Sequence, residues 1–481
     1  MADTPDQPDQ PDQPDQPDQP DPQVVMRSRA YGMLLVLAAV IGVPISAVAW
    51  GFLALVSKLQ GWIFTSLPHG LGFHSEPLWW PIPPLVLSGL LTALAIRYLP
   101  GTGGHSPADR FKAGGAPQPA QLPGVIFAAL ATLSLGAVLG PEAPLIAIGG
   151  GLGVIAIRLA RRDTPARTST VVAAAGSFAA ISTLLGSPLT GAFLLMEASG
   201  LGGSMLELVL VPGLVAAGIG SLIFLGLGSW SGLGTFSLTI QHLPTFREPD
   251  AAEFLWALAI GVLAAFLGTG IRWLALFLRP HVERRMVLLT PVAGLAVAGL
   301  AIAYAAGTGK GSSEVLFSGQ TAVGPLVTSG ASYTAAALLL LIACKGLAYG
   351  VSMSGFRGGP VFPSLFIGAA GGMLLSHLPG LPLVAGVAMG IGAMCAVMLQ
   401  LPLTSVLLAT LLLGSDGLAV MPLAIVAVVV AYITSVHLTP SPEPKARPET
   451  HGAAAAREVP AQGAPSAPGT PAASPSRPGA E

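Results

Sequence analysis

Charge is what this chain has least of: Asp, Glu, Lys and Arg make up only 9% of its 481 residues, against about a quarter in ordinary soluble domains. So few charges exclude the class of water-soluble globular domains. Cysteine is scarcer still. Cys344 and Cys395, the two present, lie in apolar stretches without ligand-spaced partners, which excludes a disulfide framework and a zinc site and leaves them as small core residues. Gly149 to Gly153 is a Gly-rich run, but it lies inside an apolar helical pattern with no strand before it, which argues against a phosphate loop. No nucleophile or metal-ligand constellation stands out, so neither an enzyme nor a cofactor, metal or nucleic-acid partner is expected.

What the chain does have is hydrophobicity, at 52% of residues and a mean hydropathy of +0.71. The expected class is an all-α polytopic membrane protein. Apolar runs follow one another from about 30 to 438, and several, such as 188 to 198 and 402 to 414, fall short of the roughly 20 residues that a full span requires. Short segments at membrane depth are tolerated only where their ends are buried in protein or line a watery cavity, so half-spanning helices are expected. The 61 glycines suit helices whose backbones approach closely.

The ends differ in kind. Residues 3 to 21 repeat Pro-Asp-Gln, and the chain beyond 438 is rich in Pro, Ala, Ser and Gly, so segments 1–26 and 439–481 have little to bury and are expected to be disordered. Between them we expect a first membrane repeat over 27–230, a linker over 231–251 and a second membrane repeat over 252–438. Basic residues gather at Arg27 and Arg29, at Arg158, Arg161, Arg162 and Arg167, and at Arg279, Arg284 and Arg285. The positive-inside rule assigns these to the cytoplasm, with both tails there and the body in the plasma membrane.

The repeats are announced by a matched pair of segments. Gly140-Pro141-Glu142-Ala143-Pro144 and Gly359-Pro360-Val361-Phe362-Pro363 both read G-P-x-x-P before an apolar run, 219 positions apart (359 minus 140). Pro188-Leu189-Thr190 and Pro402-Leu403-Thr404 form a second pair, 214 apart (402 minus 188). Interrupted segments in corresponding places of two halves point to a transporter's binding site near the bilayer midplane. A helix that starts inside the membrane presents free N–H groups and about half a positive charge. Two such starts converging make an anion site without a formal cation, and a weak site lets the ion leave. Glu142 stands at one of them. Its carboxylate would occupy the pocket that binds an anion, and protonation would release it, so Glu142 is the candidate gate and proton acceptor; a plain helix cap is the alternative. Lys345 and Arg357 are the cations nearest the second start, either shaping its potential or merely ion-paired or snorkelling.

These residues resemble the CLC family of chloride channels and chloride/proton antiporters. Its G-(R/K)-E-G-P motif is similar to Gly140 to Pro144, its G-x-F-x-P motif to Gly359 to Pro363, and Lys345 and the Gly-rich Ser354 to Gly359 also fit its pattern. The resemblance covers about 30 to 438 and implies an inverted-repeat bundle, a homodimer with one anion pathway per subunit, Glu142 as gating glutamate, and an anion held at Gly140, Pro141, Ala143, Gly359, Pro360, Val361 and Phe362. Chloride is the implied partner, with protons if transport is coupled.

The chain also departs from the family pattern. The G-S-G-I-P motif has a loose counterpart in Gly101-Thr102-Gly103-Gly104-His105-Ser106-Pro107; Thr102, His105 or Ser106 could supply the anion-binding hydroxyl or ring, and Ser106 is favoured because it directly precedes the proline. Pro141 replaces the motif's cation, and Val361 its phenylalanine. The antiporters' internal glutamate falls on Ala198, with Glu197 one residue earlier, either a shifted proton relay or a structural acid. The pore tyrosine has no clear counterpart. A channel-like chloride pathway gated by Glu142 is therefore expected, with an antiporter using Glu142 and Glu197, or a pathway for another anion such as fluoride, as alternatives; a membrane-embedded enzyme or scaffold using Glu142 and His105 is remote.

Overall fold

The computed structural model describes residues 22–439 except 110, 112–114, 161–164, 201–202, 232–239, 241–243, 245 and 247. Arg161, Arg162, most of the expected linker and both low-complexity tails thus fall outside the described residues, while residues 22–26, read from sequence as part of the N-terminal tail, form a short helix, α1 (Pro22–Met26). Every regular element among the described residues is helical. Among the described residues, eight helices are long and apolar enough to cross a membrane. Their outer faces carry large apolar side chains such as Val40, Phe266, Trp273, Leu288 and Val429. A rim of this kind suits lipid and no aqueous phase.

The first half begins with α2 (Arg29–Gly61), which Ser28 caps by accepting from the Tyr31 N–H at 3.1 Å. A π-helical turn, Trp62–Ser66, and α3 (Leu67–Gly70) extend it. After α4 (Ile82–Tyr98) and α5 (Leu122–Ser134) come α6 (Glu142–Ala160), α7 (Ala166–Leu185), the short α8 (Pro188–Ser199) and α9 (Gly203–Ser231). The second half runs through α10 (Ala251–Arg284), α11 (Met286–Thr308), α12 (Val323–Thr328) and α13 (Ala335–Gly355) to α14 (Val361–Leu375), α15 (Leu383–Leu399), the short α16 (Pro402–Leu412) and α17 (Gly417–Leu438). Asp250 and Glu253 form a reciprocal capping box at the start of α10, and Thr334 caps α13 at 3.2 Å. At about 1.5 Å per residue, the 11 residues of α16 and the 15 of α14 cover only part of a ~30 Å hydrocarbon core. The short apolar runs are half-spanning helices.

Helices α6 to α9 and α14 to α17 follow one another in matching order, and the matched segments start equivalent members. Their packing matches as well. A Cβ on Gly149 would fall on the Gly176 carbonyl where α6 meets α7, and one on Gly368 or Gly372 would fall on the Gly390 or Gly386 carbonyl where α14 meets α15. Backbones can approach this closely only where side chains are missing. Around this contact lies the most thoroughly buried part of the molecule, where every residue of α15 from Val384 to Leu399 is buried.

One apolar run is not helical throughout. The apolar stretch 122 to 139 is helical only to Ser134; Gly136 then adopts φ +103°, and the chain runs on without regular structure to Gly140. A left-handed conformation at this point is open to glycine without penalty. It frees the backbone of Leu135 to Gly140 to pair elsewhere: the Val138 N–H donates to Ser352 Oγ at 3.1 Å.

Candidate functional site

The two matched segments meet. Gly140 and Gly359 form a reciprocal antiparallel bridge, each N–H donating to the other's carbonyl at 2.8 and 2.7 Å. That exchange sets the first residue of α6, Glu142, beside the first residue of α14, Val361. At either bridging position a Cβ would meet the Glu142 side chain, so the carboxylate keeps this place only beside glycines. Gly140, Pro141, Gly359, Pro360, Val361 and Phe362 are all buried around the carboxylate, and Ala143 is half-buried beside it.

Glu142 itself is 1% exposed. Its Oε1 accepts from the Val361 N–H across the repeats, and the Phe362 N–H also faces the carboxylate. Oε2 has no partner. A buried carboxylate oxygen without a donor is held there by the field of the helix start it caps and by the charge-assisted bond of its twin, about twice as strong as a neutral one. The carboxylate thus caps the first amides of α14 from the other half of the chain.

Residues that sequence reading passed over build the surroundings. Tyr349 Oη and Ser364 Oγ both donate to the Pro360 carbonyl, at 3.0 and 2.9 Å. They point that carbonyl's negative end away from the carboxylate and fix the first turn of α14. The available signal was Tyr349, the one aromatic hydroxyl within the apolar run of α13. Lys345 is fully buried, yet its ammonium is turned to backbone carbonyls and not to the Glu142 carboxylate. Its Nζ donates to the carbonyls of Glu314, Val315 and Leu316 at 2.9, 3.0 and 3.1 Å and lies 4.3 Å over the Phe366 ring. It ties the 314–316 turn to α13, and the next residue, Phe317, donates its N–H to Gly136 at 3.2 Å. Both ion pairing and snorkelling are therefore replaced by carbonyl capping.

A cavity of about 1100 Å³ opens beside the site, with Ala143, Pro144, Gly358 and Pro360 in its wall. Thr102, His105 and Ser106 all line it, as do Arg158 and Arg357. Thr102 Oγ1 is spent on the Gly101 carbonyl at 2.8 Å.

Glu197 stands apart from this cavity lining. Its Oε1 accepts from the Leu403 N–H at 3.0 Å, and its Oε2 from the Thr404 N–H and Oγ1 at 2.8 and 2.7 Å. It caps α16, joining the two Pro-Leu-Thr helices, while Ala198 is buried. Loss of an N-terminal cap costs about 0.5–2 kcal/mol. Glu197→Ala is expected to lower the thermal midpoint in detergent by a few degrees, whereas an unchanged midpoint would remove the capping role.

Comparison with known proteins bears on this geometry. The profile described as "Voltage gated chloride channel" matches residues 89–436. The provisionally named ion-transport protein YfeO of Salmonella schwarzengrund (strain CVM19633) is 31% identical over 368 residues, covering 74% of this chain and 84% of its own. YfeO of Escherichia coli O1:K1 / APEC is 30% identical over 366 residues, covering 74% and 82%. Among solved structures, a slow cyanobacterial Cl⁻/H⁺ antiporter aligns with a TM-score of 0.68 at 19% identity, covering 85% of this chain and 95% of its own. A CLC-type fluoride/proton antiporter aligns with a TM-score of 0.57 at 21% identity, covering 84% and 95%.

Proposed function

This chain belongs to the voltage gated chloride channel (CLC) family, and from that premise we propose that it is an anion pathway, for chloride, in which Glu142 is the gate. One observation carries the reading: the Glu142 carboxylate caps the start of α14 from the opposite repeat, with one oxygen on the Val361 amide and the other unpartnered. An anion and this carboxylate compete for the same donors. Protonation removes the charge that the helix start attracts, so the side chain swings out and the anion enters from the cavity wall formed by Ala143 and Pro360. Val361, Phe362, Gly359 and Pro360 supply the backbone of the site from α14, and Gly140, Pro141 and Ala143 from α6. Ser106 offers a hydroxyl on the cavity wall, with Thr102 and His105 beside it.

The pathway is read as channel-like. Glu197, the acid available for an internal relay, has both oxygens committed to α16, and Ala198 cannot carry a proton. The alternative is proton-coupled exchange, as named for the chloride and fluoride antiporters that share the fold. Further parts of the proposal are an inverted arrangement of the two repeats about the Gly140–Gly359 bridge, a homodimer with one pathway per subunit, and a plasma-membrane location with cytoplasmic tails.

The test is chloride efflux from liposomes holding the purified protein, recorded together with external pH. Chloride release without proton movement is the expected result. Uphill chloride transport driven by a pH gradient would replace the channel reading with coupled exchange, and no chloride release at any pH would remove the anion-pathway reading.

A further inference from the structure

The loop before α5 has an unusual backbone. Gly101, Thr102, Gly103 and Gly104 all have positive φ, at +85°, +50°, +69° and +94°. For a β-branched residue such as Thr102 this is an outlier, and strain of that kind persists only where the surroundings over-determine it. Here they do, and the object they enclose is the side chain of Arg357. Its Nε donates to the Thr102 carbonyl at 3.1 Å, and its Nη1 donates to the Phe356 carbonyl at 3.2 Å. A Cβ on Gly103 would lie 3.3 Å from the Arg357 Cγ, so the glycine makes room for the side chain's stem. The backbone is pinned too, its N–H donating to Thr132 Oγ1 at 3.2 Å.

Arg357 is 9% exposed and lines the cavity. Two of its five N–H groups are used by the bonds above, which leaves three for a ligand in the cavity that the residue lines. The two carboxylates in the cavity lining are already engaged: Asp109 and Glu283 both bind Arg279, at 2.6 and 2.7 Å. Both carboxylates also attract Arg357 at longer range while Arg279 opposes them, but their ion pairs are with Arg279. The lining carries three arginines, Arg158, Arg279 and Arg357, against these two carboxylates, an excess of positive charge that a mobile anion would balance.

We propose that Arg357 forms a guanidinium anion-docking subsite on the cavity wall, separate from the amide site that Glu142 occupies, which takes small monovalent anions and holds planar oxyanions more tightly than halides. The preference follows from the fork of parallel N–H donors, which meets two oxygens of a trigonal oxyanion at once and only one atom of a halide. Arg357 stands three residues before Pro360, the residue that caps α14, and so on the approach to that helix. The inference rests on the anion-pathway reading and deepens it.

The test separates the two. In the detergent-solubilised full chain, the amide site is closed by Glu142, so calorimetric titration with chloride and with nitrate reports the Arg357 subsite. One anion per subunit is expected, with nitrate bound more tightly than chloride. Arg357→Gln is expected to weaken both by tenfold or more, and Arg357→Lys to keep chloride binding while losing the preference for nitrate. The thermal midpoint in an anion-free buffer shows that each variant is folded; if Arg357→Gln is not, the loss of nitrate preference in Arg357→Lys decides. Binding unchanged in Arg357→Gln, or a nitrate preference retained in Arg357→Lys, would overturn the subsite. Binding that appears only in Glu142→Gln would also overturn it while leaving the anion-pathway reading intact. Absence of anion binding in every variant, together with absence of flux in liposomes, would instead fail that reading.

Discussion

Glu142→Gln is expected to raise chloride flux at neutral pH by on the order of tenfold or more and to make it independent of pH. The amide keeps the size of the carboxylate but loses its charge, so it no longer competes for the positive end of α14 as an anion does. The charge-assisted bond to Val361 falls to an ordinary one of about half its strength, and a tenfold rate change needs only about 1.4 kcal/mol off the barrier. The wild-type protein should show the opposite dependence. Its flux rises as pH falls, because protonation of Glu142 produces the state that glutamine imitates. Efflux from liposomes at a series of pH values measures both. A flux that stays pH-dependent in Glu142→Gln would take Glu142 out of the gating step, and a flux unchanged in both respects would take it out of the pathway.

Gly372→Leu is expected to abolish folded protein. Gly372 faces the Gly386 carbonyl so closely that even a Cβ falls on it, and α14 and α15 can accept a larger side chain only by moving apart. Overpacking a tight core usually costs about 1–3 kcal/mol and sometimes more; here the obstacle is backbone, which cannot rotate away, so a loss of 3 kcal/mol or more is expected. The neighbouring Gly371 has nothing within 4 Å of its Cβ direction. Gly371→Leu should therefore express and melt like the wild type, and the pair of variants separates a packing requirement at one helix face from a general intolerance of leucine in α14. A well-folded Gly372→Leu, by size-exclusion profile and thermal midpoint, would contradict the close approach of the two helices.

Much of this arrangement was open to a reader of the sequence because the protein states it twice. The matched Gly140 and Gly359 segments meet through a direct bridge, and Glu142 is as buried as a carboxylate between two prolines in an apolar run suggested. What stayed hidden depends on contacts far apart in the chain. Glu197 could be read as a relay or as a structural acid, and only its bonds to Leu403 and Thr404, on a helix more than 200 positions away, show the carboxylate capping α16. Lys345 was read as a possible influence on the anion; its target is a turn of carbonyls around Val315 that nothing in its own neighbourhood announces. Arg357 looked like one cation among others until the Gly101 to Gly104 loop closed around it. The break in helicity after Ser134 was likewise invisible as hydropathy, since Leu135 to Leu139 are apolar whether helical or extended; Gly136 was the local hint.

The claim at the centre of the account is that Glu142 sits in an anion site made by the paired helix starts. The most direct measurement is an anomalous difference map from crystals of the Glu142→Gln protein grown in bromide. A bromide peak is expected against the Val361 and Phe362 amides, in the place the carboxylate occupies in the wild type. A map with no peak there, in a variant that still carries anions across liposome membranes, would contradict the account and put the pathway elsewhere in the molecule.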